Sequence, residues 1–181
     1  GNYCTMNEWK SHVKQQIKLN EMLVQSISVS MYSSLKLYGL CFNTFQLSPW
    51  YVHASRFPNK RRKCNLMIRL SIGVHRFEPN CWKPNVVCSL CDMHEKCDVI
   101  HVLFMCPELR STREKSWVLL RRILPTALGN DLEHMIPKER VEFLLSAFRS
   151  RYCYQFEESY DAVAEFVYKM CVEKDKLHVP I

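Results

Sequence analysis

A mainly α-helical chain with a small Cys-Cys-His-Cys zinc finger embedded in it is what three features of the sequence predict. Only 4 of the 181 residues are glycine, which leaves few of the turns that an all-β fold needs. Long stretches repeat apolar residues at helical spacing. And Cys88, Cys91, His101 and Cys106 stand in the order C-x2-C-x9-H-x4-C, a ligand order suited to a tetrahedral structural zinc.

The first helix is expected over about 7–28. Asn7 can cap it, and Glu8 puts negative charge in its first turn, where the helix dipole favours it. Trp9, Val13, Ile17, Val24 and Ile27 form an apolar stripe that should pack inward, while Lys10, Lys14 and Lys18 occupy another, solvated face. Residues 30–40 are expected to form a short helix ended by Gly39. Residues 41–58 read as irregular, punctuated by Pro49 and Pro58, with Trp50 and Tyr51 as core anchors.

Asn59 is placed to cap a helix starting at Lys60, with Leu66, Met67, Leu70 and Cys64 on its apolar side. Residues 56–76 carry Arg56, Lys60, Arg61, Arg62, Lys63, Arg69 and Arg76 and no acidic residue. Such a stripe attracts phosphates through counterion release, whatever the base sequence. KRRK also matches a short basic import signal, a pattern common by chance. Residues 77–87, with Pro79, Trp82 and Pro84, are expected to form an entry loop to the finger.

Within the finger, two cysteines separated by two residues fit one tight turn around a metal. A short helix starting near Asp98 carries His101 and leaves Cys106 just past its end, where Pro107 stops it. Cys97 and His94 lie inside the loop, and Cys97 is the alternative to His101 as third ligand. Buried structural cysteines are the bland reading, but four ordered candidates within nineteen residues favour a metal. Beyond Pro107, a helix over 108–124 turns Leu109, Trp117, Leu120 and Leu124 inward. Pro125, Gly129 and Asn130 break it, and Pro137 opens a new helix to about 150. The last helix, about 159–176, aligns Tyr160, Val163, Val167 and Met170, with Ala164 and Cys171 beside them. The domain division that follows is 1–76, helical and basic; 77–107, the finger; and 108–181, a helical region packing on the rest.

Composition narrows the class. No apolar run is long enough for a transmembrane helix, so no membrane partner is expected. No signal-peptide pattern occurs, and the chain starts at Gly1, as a piece of a longer protein would. Five of the ten cysteines crowd into residues 81–106, unlike a disulfide framework spread along a small secreted chain. A reducing, intracellular setting, nucleus or cytoplasm, is the expectation. Net charge is +7, but residues 1–87 hold 12 Lys+Arg against 3 Asp+Glu, and residues 88–181 hold 13 against 15. The polyanion-facing half should be the N-terminal one.

From Arg69 to Arg113 the order is RLSIGVHRF, a short loop, C-x2-C, D-x-x-H-V-L-F-x-C-P and E-L-R-x-x-R. This resembles the C-terminal region of reverse transcriptases from non-LTR (LINE-type) retrotransposons. There a leucine/arginine/glycine stretch precedes a Cys-Cys-His-Cys zinc-binding motif. The matching positions are Arg69, Leu70, Gly73 and Arg76, then Cys88, Cys91, Asp98, His101, Leu103, Phe104, Cys106 and Pro107. The sharp motif covers about a quarter of the chain, and the helical layout resembles the family over most of it. The resemblance implies RNA or DNA as partner, Zn2+ as cofactor, and a polymerase domain upstream in the same polypeptide. It implies a role in holding template RNA or target DNA during target-primed reverse transcription.

Catalysis by this chain itself is not expected. There is no Tyr/Phe-x-Asp-Asp element, and no Pro-Asp of the kind that marks the restriction-like nuclease in some relatives of that family. A zinc deaminase would need H-x-E before a P-C-x-x-C pair, which the chain lacks, and four protein ligands leave no position for a reacting water. The expected function is a non-catalytic nucleic-acid-binding module. The competing expectation is a zinc-braced helical adaptor for other proteins.

Overall fold

The computed structural model describes residues 6–31, 48–73, 75, 77, 86–146 and 157–177. Seven α-helices account for most of them: α1 (Met6–Met31), α2 (Pro49–Arg56), α3 (Arg61–Ser71), α4 (Arg110–Ile123), α5 (Thr126–His134), α6 (Pro137–Leu145) and α7 (Glu157–Leu177). There is no strand among the described residues, only one isolated antiparallel bridge between Val87 and Lys96. The fold is mainly α, as expected. The expected helix over 30–40 with Gly39, the entry loop with Trp82, and the end of the helix starting at Pro137 lie wholly or largely outside the described residues.

Helix α7 is the centre of the body. Val163, Val167 and Met170 have no exposed surface, and Ala164, Phe166 and Cys171 are buried beside them. The residues read as its inward face therefore are that face. It packs on α3, on α4 and on the turn that carries His101. Helix α3 offers Cys64, Leu66, Met67 and Leu70 to the same core. Leu109, Leu120 and Leu124 come in from α4 and its flanks. Each such side chain, fully buried, contributes about 1.5–3 kcal/mol relative to exposure.

Two breaker residues act differently from expectation. Pro49 does not mark irregular chain; it occupies the first turn of α2, where its missing N–H is one the helix could not use. That helix buries Trp50 completely. The Trp50 indole N–H donates to the Leu145 carbonyl at 2.6 Å, and the ring meets Tyr160 edge-on at 5.4 Å. Tyr51, by contrast, is exposed. Gly129 and Asn130 do not break the chain either; they lie within α5. The Arg121 guanidinium donates to the Gly129 carbonyl, and a Cβ at Gly129 would stand 3.2 Å from that guanidinium, so the missing side chain makes room for it.

Asn59 also does not cap α3; residues Pro58–Lys60 form a 3-10 turn that leads in without a side-chain cap. Helix α1 does not bury its stripe against the described residues: Trp9 is 56% exposed, Ile17 53% and Val24 65%.

Candidate metal centre

Local chain geometry builds the centre. The Cys97 amide donates to the Val86 carbonyl and the Cys88 amide to the Glu95 carbonyl, each at 2.9 Å. These two bonds flank the Val87–Lys96 bridge and close a loop in which Cys88 and Cys91 share one turn. His94, at the loop's far end, adopts a left-handed backbone with φ 53°. Asp98 then starts the helical turn: its carboxylate accepts the His101 amide at 3.0 Å, and its carbonyl accepts the Val102 amide at 3.0 Å. The turn widens to a π-turn over His101–Met105. It closes when the Cys106 amide donates to the His101 carbonyl at 2.7 Å.

The result is a single buried group. Ligand atoms of Cys88, Cys91, His101 and Cys106 all lie within 4.8 Å of one another. Cys91 Sγ and His101 Nε2 are 3.3 Å apart. Metal bonds of about 2.0–2.3 Å at tetrahedral angles separate ligand atoms by about 3.3–3.8 Å; the Cys91–His101 pair stands at that separation, and the group as a whole spans no more than 4.8 Å. Four such residues could bind a metal ion. Cys97 is buried but stands outside the group, its backbone amide serving the loop base. Of the two alternatives for third ligand, His101 is the one brought together with the cysteines.

Electrostatics point the same way. Burial pushes the Cys106 thiol up to about 12, the Glu108 amide opposes this, and the nearby Cys88 and Cys91 sulfurs push it further. Out of water and beside two other sulfurs, the Cys106 thiolate is disfavoured, and a cation in the group would reverse that. On the imidazole, Nδ1 faces the Glu95 carboxylate at 3.1 Å, which leaves Nε2 as the lone-pair donor toward the sulfurs. A carboxylate behind a ligating histidine fixes its tautomer and raises its basicity. Ligand spacing does not single out Glu95; an acid in the loop ahead of the ligand histidine is the signal available for it.

The centre is seated on the helical body by its second half. Val102, Leu103 and Phe104 are buried in the core. Arg113 donates to the carbonyls of Phe104 at 2.8 Å and of Cys106. Phe104 meets Trp117 edge-on at 5.8 Å and Phe166 at 6.0 Å. Arg140 lies over both the Phe104 and the Trp117 rings, at 5.7 and 5.5 Å. Arg140 is marked by no motif, and the E-L-R-x-x-R element that ends on Arg113 does not show which carbonyls Arg113 bonds.

The basic residues divide in space. Arg76 lies outside the described residues. Arg56 is exposed near the end of α2, and Arg61, Arg62 and Arg69 are exposed on α3. Lys60 pairs with Asp161 at 3.1 Å, and Lys63 pairs with Glu165, which also meets Lys169 at 3.6 Å. Asp161 further accepts a contact from the buried His53 at 3.1 Å. Burial would raise the Asp161 carboxyl, but its hydrogen bonds with His53 and Lys60 outweigh this and hold it below the usual range. Lys63 first, with smaller help from Lys169, holds Glu165 low against the opposing effect of burial. So the run that has no acid in sequence is met by acids from α7. These pairs edge a cleft of about 350 Å³ between α3, α4 and α7, walled by Leu119, Leu120 and Ile123. No helix among the described residues is long and apolar enough to cross a membrane. Compared with protein-family models, with curated proteins and with solved structures, the chain matches none of them.

Proposed function

We propose that this chain is a non-catalytic nucleic-acid-binding module in which a structural Zn2+ braces a helical body. We propose further that it is the C-terminal zinc-binding part of a LINE-type reverse transcriptase, or of a protein derived from one. The observation that carries the reading is the convergence of the C-x2-C-x9-H-x4-C residues into one buried four-ligand group with a carboxylate behind its histidine. Three thiolates and one imidazole are soft and borderline ligands that select zinc over magnesium or calcium. Four protein ligands leave no open position, so the ion acts by fixing geometry and contributes no chemistry of its own. Six free, buried cysteines among the described residues suit a reducing compartment, the nucleus or cytoplasm.

The nucleic-acid part rests on the basic helix α3. RNA or DNA affinity should fall steeply as salt rises, the mark of phosphate neutralisation. Binding that is absent at low salt, or indifferent to salt, would remove it.

One observation favours a second reading. Helix α1 exposes Trp9, Ile17 and Val24 along one stripe, which suits a zinc-braced adaptor for another protein. Under that reading, replacing the stripe abolishes partner capture, and nucleic acid does not bind.

A further inference from the structure

Helix α3 carries two kinds of basic residue, and its own geometry separates them. With 3.6 residues per turn, Arg61, Asn65, Arg69 and Arg62 fall within one arc of about 100°. All four are exposed. Lys60 and Lys63 lie on the other side of the helix, the side that buries Cys64, Met67 and Leu70. There each is paired with a carboxylate of α7. We infer that on helix α3 the phosphate-contacting surface is the arginine arc, Arg61, Arg62 and Arg69 with Asn65 between them, and that Lys60 and Lys63 are tethers between α3 and α7. The inference rests on the nucleic-acid reading above and divides its candidate residues.

Three arguments converge on this division. A lysine already paired with a protein carboxylate has its charge neutralised within the protein, so to release a counterion from a phosphate it would first have to give up the carboxylate. Asp161 and Glu165 are held in their charged form by these contacts, which strengthens the pairs. Among the described residues, none of Arg61, Arg62 and Arg69 makes an ion pair. Their forked donors match phosphate oxygens two at a time, whereas a lysine offers a point charge. Arg62 is also steadied against the Tyr168 ring at 5.5 Å, which lowers the entropy lost on contact. The Asn65 amide, a donor and an acceptor in the middle of the arc, can bond a phosphate, or a 2′-hydroxyl where the strand is RNA. The arc from Arg61 to Arg69 runs about 12 Å along the helix. The ligand is thus a phosphodiester backbone.

The test compares two variants of the zinc-loaded chain across a salt series. The probes are a short single-stranded RNA and a DNA duplex of equal length. The first variant is Arg61→Gln, Arg62→Gln, Arg69→Gln. The second is Lys60→Gln, Lys63→Gln, Asp161→Asn, Glu165→Gln, which removes both pairs without changing net charge. The first variant should flatten the plot of log affinity against log salt by about 2–3 and leave the melting temperature unchanged. The second should melt lower and keep the parent's slope. A slope lost in the second variant, or kept in the first, overturns the division while the nucleic-acid reading stands. A parent chain that binds neither probe at low salt overturns both. Asn65→Ala weakening RNA more than DNA supports the 2′-hydroxyl contact, and equal effects assign Asn65 to phosphate.

Discussion

Residues 86–97 and the body around α7 sit side by side and are held together by different physics. In the first stretch the buried side chains are Cys88, Cys91 and Cys97, and a single bridge with two flanking backbone bonds closes the loop. No aliphatic or aromatic residue of that stretch is fully buried. In the body, Trp50, Leu120, Leu144, Val163, Val167 and Met170 have almost no exposed surface. One region is a frame of donor side chains that could hold a metal ion. The other is an apolar core closed by side-chain packing. The π-turn over His101–Met105 belongs to both, with His101 facing the ligands and Leu103 facing the core.

The largest expected effect tests the ligand frame. Cys88→Ser or Cys106→Ser, or chelation of the parent, should release the metal and expose amides 86–100 to hydrogen exchange. Zinc in isolated finger peptides supplies about 10–16 kcal/mol in apparent terms, so little order should survive there. A Cys106→Ser chain with full metal stoichiometry and parental melting would erase the contrast.

Next is Trp50→Ala, which deletes a buried ring and its hydrogen bond with Leu145, at a cost of about 3–5 kcal/mol. The denaturation midpoint should drop while metal remains stoichiometric in the folded fraction. Metal loss from folded Trp50→Ala chains would mean that the two regions are one cooperative unit.

Glu95→Gln should be milder. It weakens the support behind His101 and lowers metal affinity by about 10–100-fold, measured by competition with a chromophoric chelator. The body's midpoint should not move.

The smallest effect separates the regions by pH. Acid should release a metal held at the centre first, because protons compete with it for its ligands. The α3–α7 seam fails later. Asp161 and Glu165 titrate below their usual values in the folded chain. The stability they add is therefore present above the unfolded values, about 3.9 and 4.3, and is lost as pH falls through the folded ones. Parent and Asp161→Asn, Glu165→Gln chains should differ in melting at neutral pH and converge in strong acid. Convergence already at neutral pH would show that the partly exposed pairs contribute nothing.

Residues whose role is set within a turn or two are legible in the sequence. Cys88, Cys91, His101 and Cys106 are legible because order and spacing alone decide whether they meet. The inward faces of α3 and α7 are legible because periodicity fixes them. Lys63 is not, because its partner Glu165 is 102 residues away and only packing makes them neighbours. A similar separation hides the partner of Trp50, the Leu145 carbonyl. Pro49 and Gly129 mislead for another reason. Each has two uses, and which one applies depends on where the helix begins and on what side chain needs the space.

The two longer gaps in the C-x2-C-x9-H-x4-C order are unequal in what they permit. Asp92, Met93, His94 and Glu95 are all exposed, and a residue added or removed at Asp92–His94 only reshapes a solvent loop. The four residues between His101 and Cys106 are wound into one π-turn closed by a 2.7 Å bond. A deletion there would rotate Cys106 away from Cys88, Cys91 and His101 and drag Leu103 out of the core. Insertion and deletion scanning across this segment should therefore find a tolerant left half and a right half of fixed length.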